Sequence, residues 1–253
     1  MTTHPTSVTA LTVAEFDLVW ELAELGETPV NLEIASGGVS WEERLQRRHE
    51  VLAALTERGL AVRGGLRPDL RDAVTVLARF QWAVDLRLWG GELVRAVGAV
   101  DGPWAAVAVR YGDEVQLGVM PDYAVLGTMV DLVGAMPAGP GESVSVRADA
   151  LDASRDAASA PEFADALTER GEPAPTARKL AHMLGAVLGG GQFGATVRDG
   201  RLGLRRAARV VSFHDTPQGR YLHVRRNGWA TITPGGQEQL LAQVRALVEE
   251  QRG

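Results

Sequence analysis

Residues 79 to 89 alternate apolar and polar side chains over a long run, and this alternation constrains the fold more than any other feature. Every second side chain of a strand points to the same face, so one face of this strand would be apolar throughout. Its apolar residues are Phe80, Trp82, Val84, Leu86 and Leu88. A turn signal follows at Gly90–Gly91, and a turn this short can join only antiparallel strands. The sequence therefore predicts an antiparallel sheet.

The same order of elements occurs twice along the chain. In the first repeat, a helix at 68–78 precedes four strands, and Pro121 ends the last strand before another helix begins. These strands are predicted at 79–89, 92–100, 104–111 and 114–120. In the second repeat, a helix precedes strands that end at Pro234, and a closing helix follows. Its elements are predicted at 176–188, 192–198, 202–205 with 208–214, 220–226, 229–233 and 236–250.

This repetition predicts the fold class and the organisation of the chain. We expect an α+β fold in which antiparallel sheets are flanked by helices, in two related subdomains with quasi-two-fold symmetry. Coincidence is the alternative, because hairpin-rich α+β domains are common. We divide the chain, as one compact unit, into an N-terminal helix–strand–helix segment (1–65), the first repeat (66–136), a connector with short helices near 147–158 and 161–170 (137–175), and the second repeat (176–253).

The N-terminal segment carries two helix-start signals. Thr12 with Glu15, and Ser40 with Glu43, have the spacing of capping boxes. They predict helices over 11–25 and 40–59, each ended by a glycine. Between the two helices we predict a short strand at 30–34 and a turn at Ser36–Gly38.

The composition excludes several classes of protein. The chain has 253 residues and no cysteine, so it can form no disulfide, thiolate metal centre or cysteine nucleophile. No stretch approaches the roughly 18 consecutive apolar residues of a membrane span, and the N-terminus lacks the features of a signal peptide. We therefore expect a cytoplasmic protein without membrane insertion.

One glycine-rich motif resembles a nucleotide-binding sequence, but its context argues against that function. Residues Gly189 to Gly194 match the dinucleotide pattern GxGxxG. They follow a predicted helix and precede a predicted strand, which is the reverse of the order that the dinucleotide motif requires. The chain also lacks the P-loop pattern GxxxxGK[ST] and the zinc protease pattern HExxH. We therefore predict no ATP, no other cofactor and no metal.

A polar strand face is predicted in the second repeat. If the chain turns at Thr216–Gly219, His214 lies opposite Tyr221 and Ser212 lies opposite His223. Ser212, His214 and His223 could then form a small hydrolase site, or the two histidines a metal site. No carboxylate or third ligand is evident on this face. We therefore favour a non-catalytic surface and predict that the protein is not an enzyme.

Basic residues are concentrated in the same region. The whole chain has 26 basic and 32 acidic residues, and this net charge of −6 argues against a nucleic-acid-binding protein. Between Arg198 and Arg226, however, eight arginines stand against two aspartates, a local excess of six positive charges. These arginines could protect strand edges or bind nucleic acid, or they could attract an acidic protein partner.

We predict that the exposed face of the second sheet, with its entry loop, binds a protein partner. This prediction comes from strand parity alone. The predicted contact residues are Gln192, Arg198, Arg205, Ser212, His214, Tyr221, His223 and Arg225.

The segment from Val210 to Ile232 resembles the EspG family, the cytosolic chaperones of actinobacterial type VII secretion. Family members tend to have an apolar strand that runs into Asp-Thr-x-x-Gly-Arg, and Asp215–Arg220 matches this hairpin. The opening sequence LTVAEFDLVW, from Leu11 to Trp20, and the sequence GQFG, from Gly191 to Gly194, resemble other parts of the family in the same order.

The resemblance implies a two-subdomain fold with quasi-two-fold symmetry and a chaperone function. Family members bind PE–PPE heterodimers and hold the aggregation-prone tip of the PPE helical bundle against the central sheet and the C-terminal helical subdomain. The expected partner is therefore a helical secretion substrate of this kind. Another acidic or helical-hairpin partner is the alternative. The connector is short beside those of mycobacterial members, so a substrate-selecting loop would be trimmed here.

Overall fold

One antiparallel sheet of eleven strands runs through both predicted repeats in the computed structural model, which describes residues 8–34, 40–62, 65–200 and 203–253. A separate two-stranded sheet is formed by β2 and β3. In chain order the strands are β1 (Val8–Thr12), β2 (Ala61–Val62), β3 (Gly65–Leu66), β4 (Trp82–Trp89), β5 (Val94–Asp101), β6 (Trp104–Tyr111), β7 (Glu114–Pro121), β8 (Val144–Arg147), β9 (Gly189–Asp199), β10 (Gly203–Arg206), β11 (Val211–Thr216), β12 (Gly219–Arg226) and β13 (Trp229–Pro234).

Eight α-helices of the described chain surround these strands. They are α1 (Val13–Leu22), α2 (Trp41–Glu57), α3 (Pro68–Arg79), α4 (Val125–Asp131), α5 (Ala148–Ala153), α6 (Ala160–Glu169), α7 (Ala174–Met183) and α8 (Gln237–Arg252). Short 3₁₀-helical turns lie at Val30–Leu32 and Asp122–Ala124. The prediction of an α+β fold with antiparallel strands flanked by helices is confirmed.

The two repeats join through their first strands. The strand order across the sheet is β1-β7-β6-β5-β4-β9-β11-β12-β13-β8, with β10 paired to β9. Strands β4 and β9 are antiparallel neighbours, with Trp82 opposite Val197 and Trp89 opposite Gly190. The halves therefore share a single sheet, with the first strand of each at its centre. The quasi-two-fold relation between them stays a prediction.

Helices α4 and α8 cover one face of this sheet, which we call the α4–α8 face. The apolar residues of β4 at even positions from Trp82 lie on this face, as the alternation predicts, but Phe80 lies before the strand and packs with the core of the opposite face. Leu86, Phe193 and Phe213 meet at its centre, with the two phenylalanine rings 6.4 Å apart. Gly98 lets α4 approach closely, because a Cβ atom there would lie 2.7 Å from a methyl carbon of Val125.

The opposite face is covered at both ends and open in the middle, and we call it the groove face. Over one end, α3 buries Val74 and Leu77 together with Leu117 of β7. Over the other end, helices α5 to α7 bury Leu180 against Ile232 of β13. Between these two layers, the central strands β4 and β9 leave polar and exposed side chains uncovered.

Several structural features differ from the sequence-based predictions. The helix predicted at 176–188 is α7, which ends at Met183 and leaves Val187 and Leu188 exposed. The strand predicted at 30–34 is a 3₁₀-helical turn. The first strand, β1, lies where the helix over 11–25 was expected to begin, and it pairs with β7 at the edge of the sheet. The connector contributes a further edge strand, β8, which pairs with β13. Both strands gain their hydrogen bonds from residues far along the chain, so local propensity gave little signal.

Other local predictions are confirmed. Both capping boxes form, with Glu15 N donating to Thr12 Oγ1 at 3.1 Å and Glu43 N donating to Ser40 Oγ at 3.2 Å. The connector helices appear as α5 and α6. The turn predicted at Ser36–Gly38 lies outside the described residues. The four-segment division stays a prediction, and its first boundary, at 65/66, falls within β3.

A fully buried arginine, Arg220, ties the second repeat to the elements around it. Its guanidinium donates to both carboxylate oxygens of Asp215, at 2.7 and 2.9 Å, and to Gly134 O after α4 at 3.2 Å. It lies 4.8 Å from the ring centroid of Phe213. The Arg220 backbone bonds to the connector at Pro137 O and Gly139 N. One residue therefore joins β11, β12, α4 and the connector.

We expect Arg220→Ala to lower the free energy of unfolding by about 3–5 kcal/mol, because it leaves the Asp215 carboxylate unpaired next to the core. Arg226→Ala is the matched control. Its side chain is exposed and pairs with Glu250 on the surface, so the expected loss is at most about 1 kcal/mol. Urea unfolding at neutral pH measures both changes. An Arg220→Ala loss as small as that of the control would show that the pair does not anchor the fold.

Candidate partner-binding groove

A groove of about 660 Å³ lies on the groove face, between the central strands and helices α5 to α7. We call it the central groove. Sheet residues from four adjacent strands form its floor, and helix and loop residues such as Phe163, Leu184 and Arg155 form its wall. The floor residues are Trp89, Gln192, Ser212, His214, His223 and Arg225.

The predicted register of the floor is confirmed. Ser212 lies opposite His223 and His214 lies opposite Tyr221 across the β11–β12 hairpin. Ser212 also lies opposite Gln192 on β9. Five of the eight predicted contact residues therefore line the central groove: Gln192, Ser212, His214, His223 and Arg225.

The other three predicted contact residues lie elsewhere. Tyr221 is buried beneath the connector, where its hydroxyl donates to Pro140 O at 3.0 Å. Arg198 lies at the far end of β9, and its guanidinium donates to Phe80 O and Ala78 O, which end α3, at 3.0 and 2.8 Å. Arg205, on β10, lies opposite Val197 of β9, whose side chain is on the α4–α8 face. Arg205 therefore faces α8, where its guanidinium bonds to Gln251.

The expected full exposure of this strand face is therefore wrong for its buried members. Helices α5 to α7, which come from the connector and the start of the second repeat, cover Tyr221 and His214. Strand parity was wrong for Arg205 but placed the other predicted residues on one face; it carries no information about which helices pack on that face.

Two histidines form a hydrogen-bonded pair in the floor. His214 Nδ1 lies 2.6 Å from His223 Nε2, and His214 Nε2 lies 2.8 Å from Met183 O at the end of α7. A carbonyl oxygen only accepts, so His214 Nε2 carries a proton and its Nδ1 accepts from His223. Both imidazoles are then neutral. His214 also stacks on Tyr221, with ring centroids 5.3 Å apart.

Burial favours this neutral state. It lowers the pKa of His223 to about 3, with further contributions from His214, Arg225 and Arg155. Burial also lowers the pKa of His214, although the Met183 carbonyl partly opposes this change. The pair therefore remains uncharged at neutral pH and connects two strands to α7.

The geometry gives little support to a hydrolase or metal site. Both nitrogens of His214 are already engaged, so neither can accept a proton from Ser212. His223 lies opposite Ser212, but its pKa of about 3 makes it a weak base at neutral pH. Within the described ranges, no three histidine, aspartate or glutamate side chains cluster closely enough to hold a metal ion.

Most arginines of the predicted basic cluster are paired within the protein. Arg206 binds Asp85, Arg209 and Arg226 bind Glu250, and Arg225 binds Asp152. Arg198, Arg205 and Arg220 have the partners given above, and Arg201 lies outside the described residues. Because carboxylates from distant segments meet these arginines, the local charge excess in the sequence does not become an equally basic surface.

Exposed apolar side chains flank one end of the central groove. They come from the β4–β5 hairpin and from the loop before β9, and we call them the apolar rim: Trp89, Leu93, Val187 and Leu188. Glycines let the two segments meet, since a Cβ atom at Gly90 would lie 2.3 Å from the Gly189 Cα. The only sequence signal for this rim is Trp89 beside its glycine turn.

Comparison with known proteins identifies the family. The model of the EspG family matches residues 12–246, which is most of the chain. The chain belongs to the EspG family. No curated protein sequence matches it.

The fold of this EspG protein is that of a solved relative. It is similar to the Mycobacterium tuberculosis type VII secretion system chaperone EspG5, whose structure is of a complex with the PE25–PPE41 dimer. The TM-score is 0.74 at 16% sequence identity, and the similarity covers 95% of each chain. Among its described helices, none has the length and apolar character needed to cross a membrane.

The histidine pair of this EspG protein predicts loss of stability in acid. Histidines of the unfolded chain bind protons as the pH falls below about 6.5, whereas His223 in the folded protein stays neutral until about pH 3. The unfolded state is therefore favoured as the pH falls between these values. The slope is up to about 1.4 kcal/mol per pH unit for this histidine.

Urea unfolding between pH 7.5 and 5 measures this slope. We expect a shallower dependence in His223→Gln than in the unchanged protein. His49→Gln is the matched control, because His49 is exposed on α2. An unchanged slope in His223→Gln would contradict the role given to the pair.

Proposed function

We propose that this EspG-family protein is a cytoplasmic, non-catalytic chaperone of type VII secretion. It binds a PE–PPE-like helical heterodimer and keeps it soluble for export. The observation that carries this proposal is the apolar rim beside the central groove, in a protein with the EspG5 fold. The structure of EspG5 in complex with the PE25–PPE41 dimer supports the choice of substrate class.

The rim has the properties of a protein-binding anchor. Trp89 is 44% exposed at the end of a central strand, and its indole lies over Gly190, where a Cβ atom would be 3.0 Å from the ring. A tryptophan held in this way loses little conformational entropy on binding. Large apolar side chains beside a polar groove match the apolar core and polar rim of protein interfaces.

Binding alone is sufficient for this function. A helical substrate with an exposed apolar tip self-associates at least in proportion to the square of the concentration of its free form. A protein that covers the tip lowers that concentration by mass action, without a chemical step. The groove offers neutral polar side chains and an ion-paired arginine at its floor and apolar side chains at its edge, which suits the end of a helical bundle.

Substitution in the rim tests this proposal. The probes are PE–PPE pairs and other helical-hairpin type VII substrates encoded in the same genome, co-expressed with this protein. We expect Trp89→Ser to weaken capture by about tenfold or more, because interface tryptophans are typical hot spots. Trp104→Ser is the matched control, since Trp104 is 56% exposed at a hairpin at the opposite end of the sheet.

Isothermal titration of purified substrate measures the two variants. Trp104→Ser should bind like the unchanged protein. The proposal fails if the unchanged protein captures none of the substrates while they remain soluble alone. It also fails if Trp89→Ser and Trp104→Ser bind the substrate with the same affinity.

A further inference from the structure

Three arginines lie side by side across the groove face, and we call them the arginine row: Arg87, Arg95 and Arg110. They occupy one register on the adjacent strands β4, β5 and β6. The same register continues from Arg87 to Gln192 and Ser212 in the floor of the central groove. Residues directly opposite each other on neighbouring strands have Cβ atoms about 5 Å apart. The arginine row is therefore a lateral extension of the groove.

One carboxylate, that of Glu33, bridges two of these arginines. Glu33 Oε1 lies 3.2 Å from Arg87 Nη2, and Glu33 Oε2 lies 2.6 Å from Arg95 Nη2. Arg95 Nη1 is buried without a hydrogen-bond partner among the described residues. Arg110 donates instead to backbone oxygens of Leu32, Glu33 and Gly112. Two guanidinium groups thus share a single carboxylate, and the third binds carbonyl groups.

The other end of the groove has a similar imbalance. Asp152 binds Arg155 at 2.8 Å and also binds Arg225 through both carboxylate oxygens, at 2.6 and 2.8 Å. On β4, Asp85 is already held by both nitrogens of Arg206. The stretches outside the described ranges contain no aspartate or glutamate. Arginines therefore outnumber their carboxylate partners on both sides of the central groove.

Arg87 is the most exposed residue of the row. Its side chain is 46% exposed, whereas that of Arg95 is only 12% exposed. Its contact with Glu33 is long and lies at the surface, so it is weak. Glu33 itself has a left-handed backbone conformation, with φ of 51°. A non-glycine residue in this conformation is held there by its surroundings, here by Arg110 at its carbonyl.

We propose that the bound substrate places an acidic side chain on Arg87, where Glu33 occupies the site in the free protein. This inference rests on the proposed function and specifies the chemistry of the partner. A carboxylate entering beside Gln192 would offset the excess positive charge of the row. Glu33 is then an internal competitor whose release accompanies binding. The apolar rim supplies affinity, and the arginine row fixes the orientation of the substrate.

Charge substitutions at Arg87 test the inference. Affinity for a substrate that the unchanged protein captures is measured by titration at about 50 and 300 mM NaCl. We expect Arg87→Ala to weaken binding about tenfold at low salt and to flatten the salt dependence. Arg245→Ala is the matched control, because Arg245 is exposed on α8, behind the opposite face of the sheet. It should change neither quantity.

Substitution of Glu33 tests whether its carboxylate competes with the substrate for Arg87 or only holds the 3₁₀-helical turn in place. Glu33→Gln should tighten binding severalfold in the unchanged background and have no effect in the Arg87→Ala background. The inference is overturned if Arg87→Ala binds with the unchanged affinity and salt dependence. It is also overturned if Glu33→Gln weakens binding as much as Arg87→Ala does, since the row would then only hold the 3₁₀-helical turn in place.

The results also distinguish this inference from the proposed function. If the unchanged protein captures no substrate, the proposed function fails. If Trp89→Ser weakens binding and Arg87→Ala does not, the chaperone function stands and the acidic contact is wrong.

Discussion

The buried ion pair between Arg220 and Asp215 holds the second half of the sheet in register. These residues are the two ends of the Asp-Thr-x-x-Gly-Arg hairpin, and they lie directly opposite each other on β11 and β12. Between them, Thr216 Oγ1 donates to Gly219 O at 3.0 Å and closes the turn. A one-residue slip of this hairpin would move Arg220 to the groove face and separate it from Asp215. The pair therefore fixes which side chains form the groove floor, whatever its net contribution to stability.

The position of the groove follows from the way the two halves join. Strands β4 and β9 meet at the centre of the sheet, and each half carries its own helices on the groove face. The uncovered strip therefore lies over the junction. Glycines of β9 allow this close approach, since a Cβ atom at Gly191 would lie 2.6 Å from Leu88 and 2.8 Å from Phe213. The GxGxxG pattern thus serves strand packing, consistent with its position after a helix.

The sequence was informative wherever a local rule decides the structure. The turn at Thr216–Gly219 and the period of two gave the pairing of Ser212 with His223 correctly. The same rules could not show that α5 to α7 bury Tyr221, because that contact joins residues separated along the chain. Arg205 was placed on the wrong face because the register of β10 is set by its pairing with β9 and not by its own sequence. The apolar rim has almost no periodic signal, since its members come from two loops.

Charge shows most clearly why position along the chain and position in the fold differ. The arginines between 198 and 226 form the densest basic stretch in the sequence, yet carboxylates from β4, α5 and α8 bind four of them. The arginine row comes instead from three strands whose sequences each contain a single arginine at the aligned position, and Glu33 alone bridges two of them. A surface potential is a sum over neighbours in space, so antiparallel pairing can neutralise one cluster and create another. The basic residue that we propose as the contact for a partner, Arg87, therefore lies on β4, at the edge of the groove.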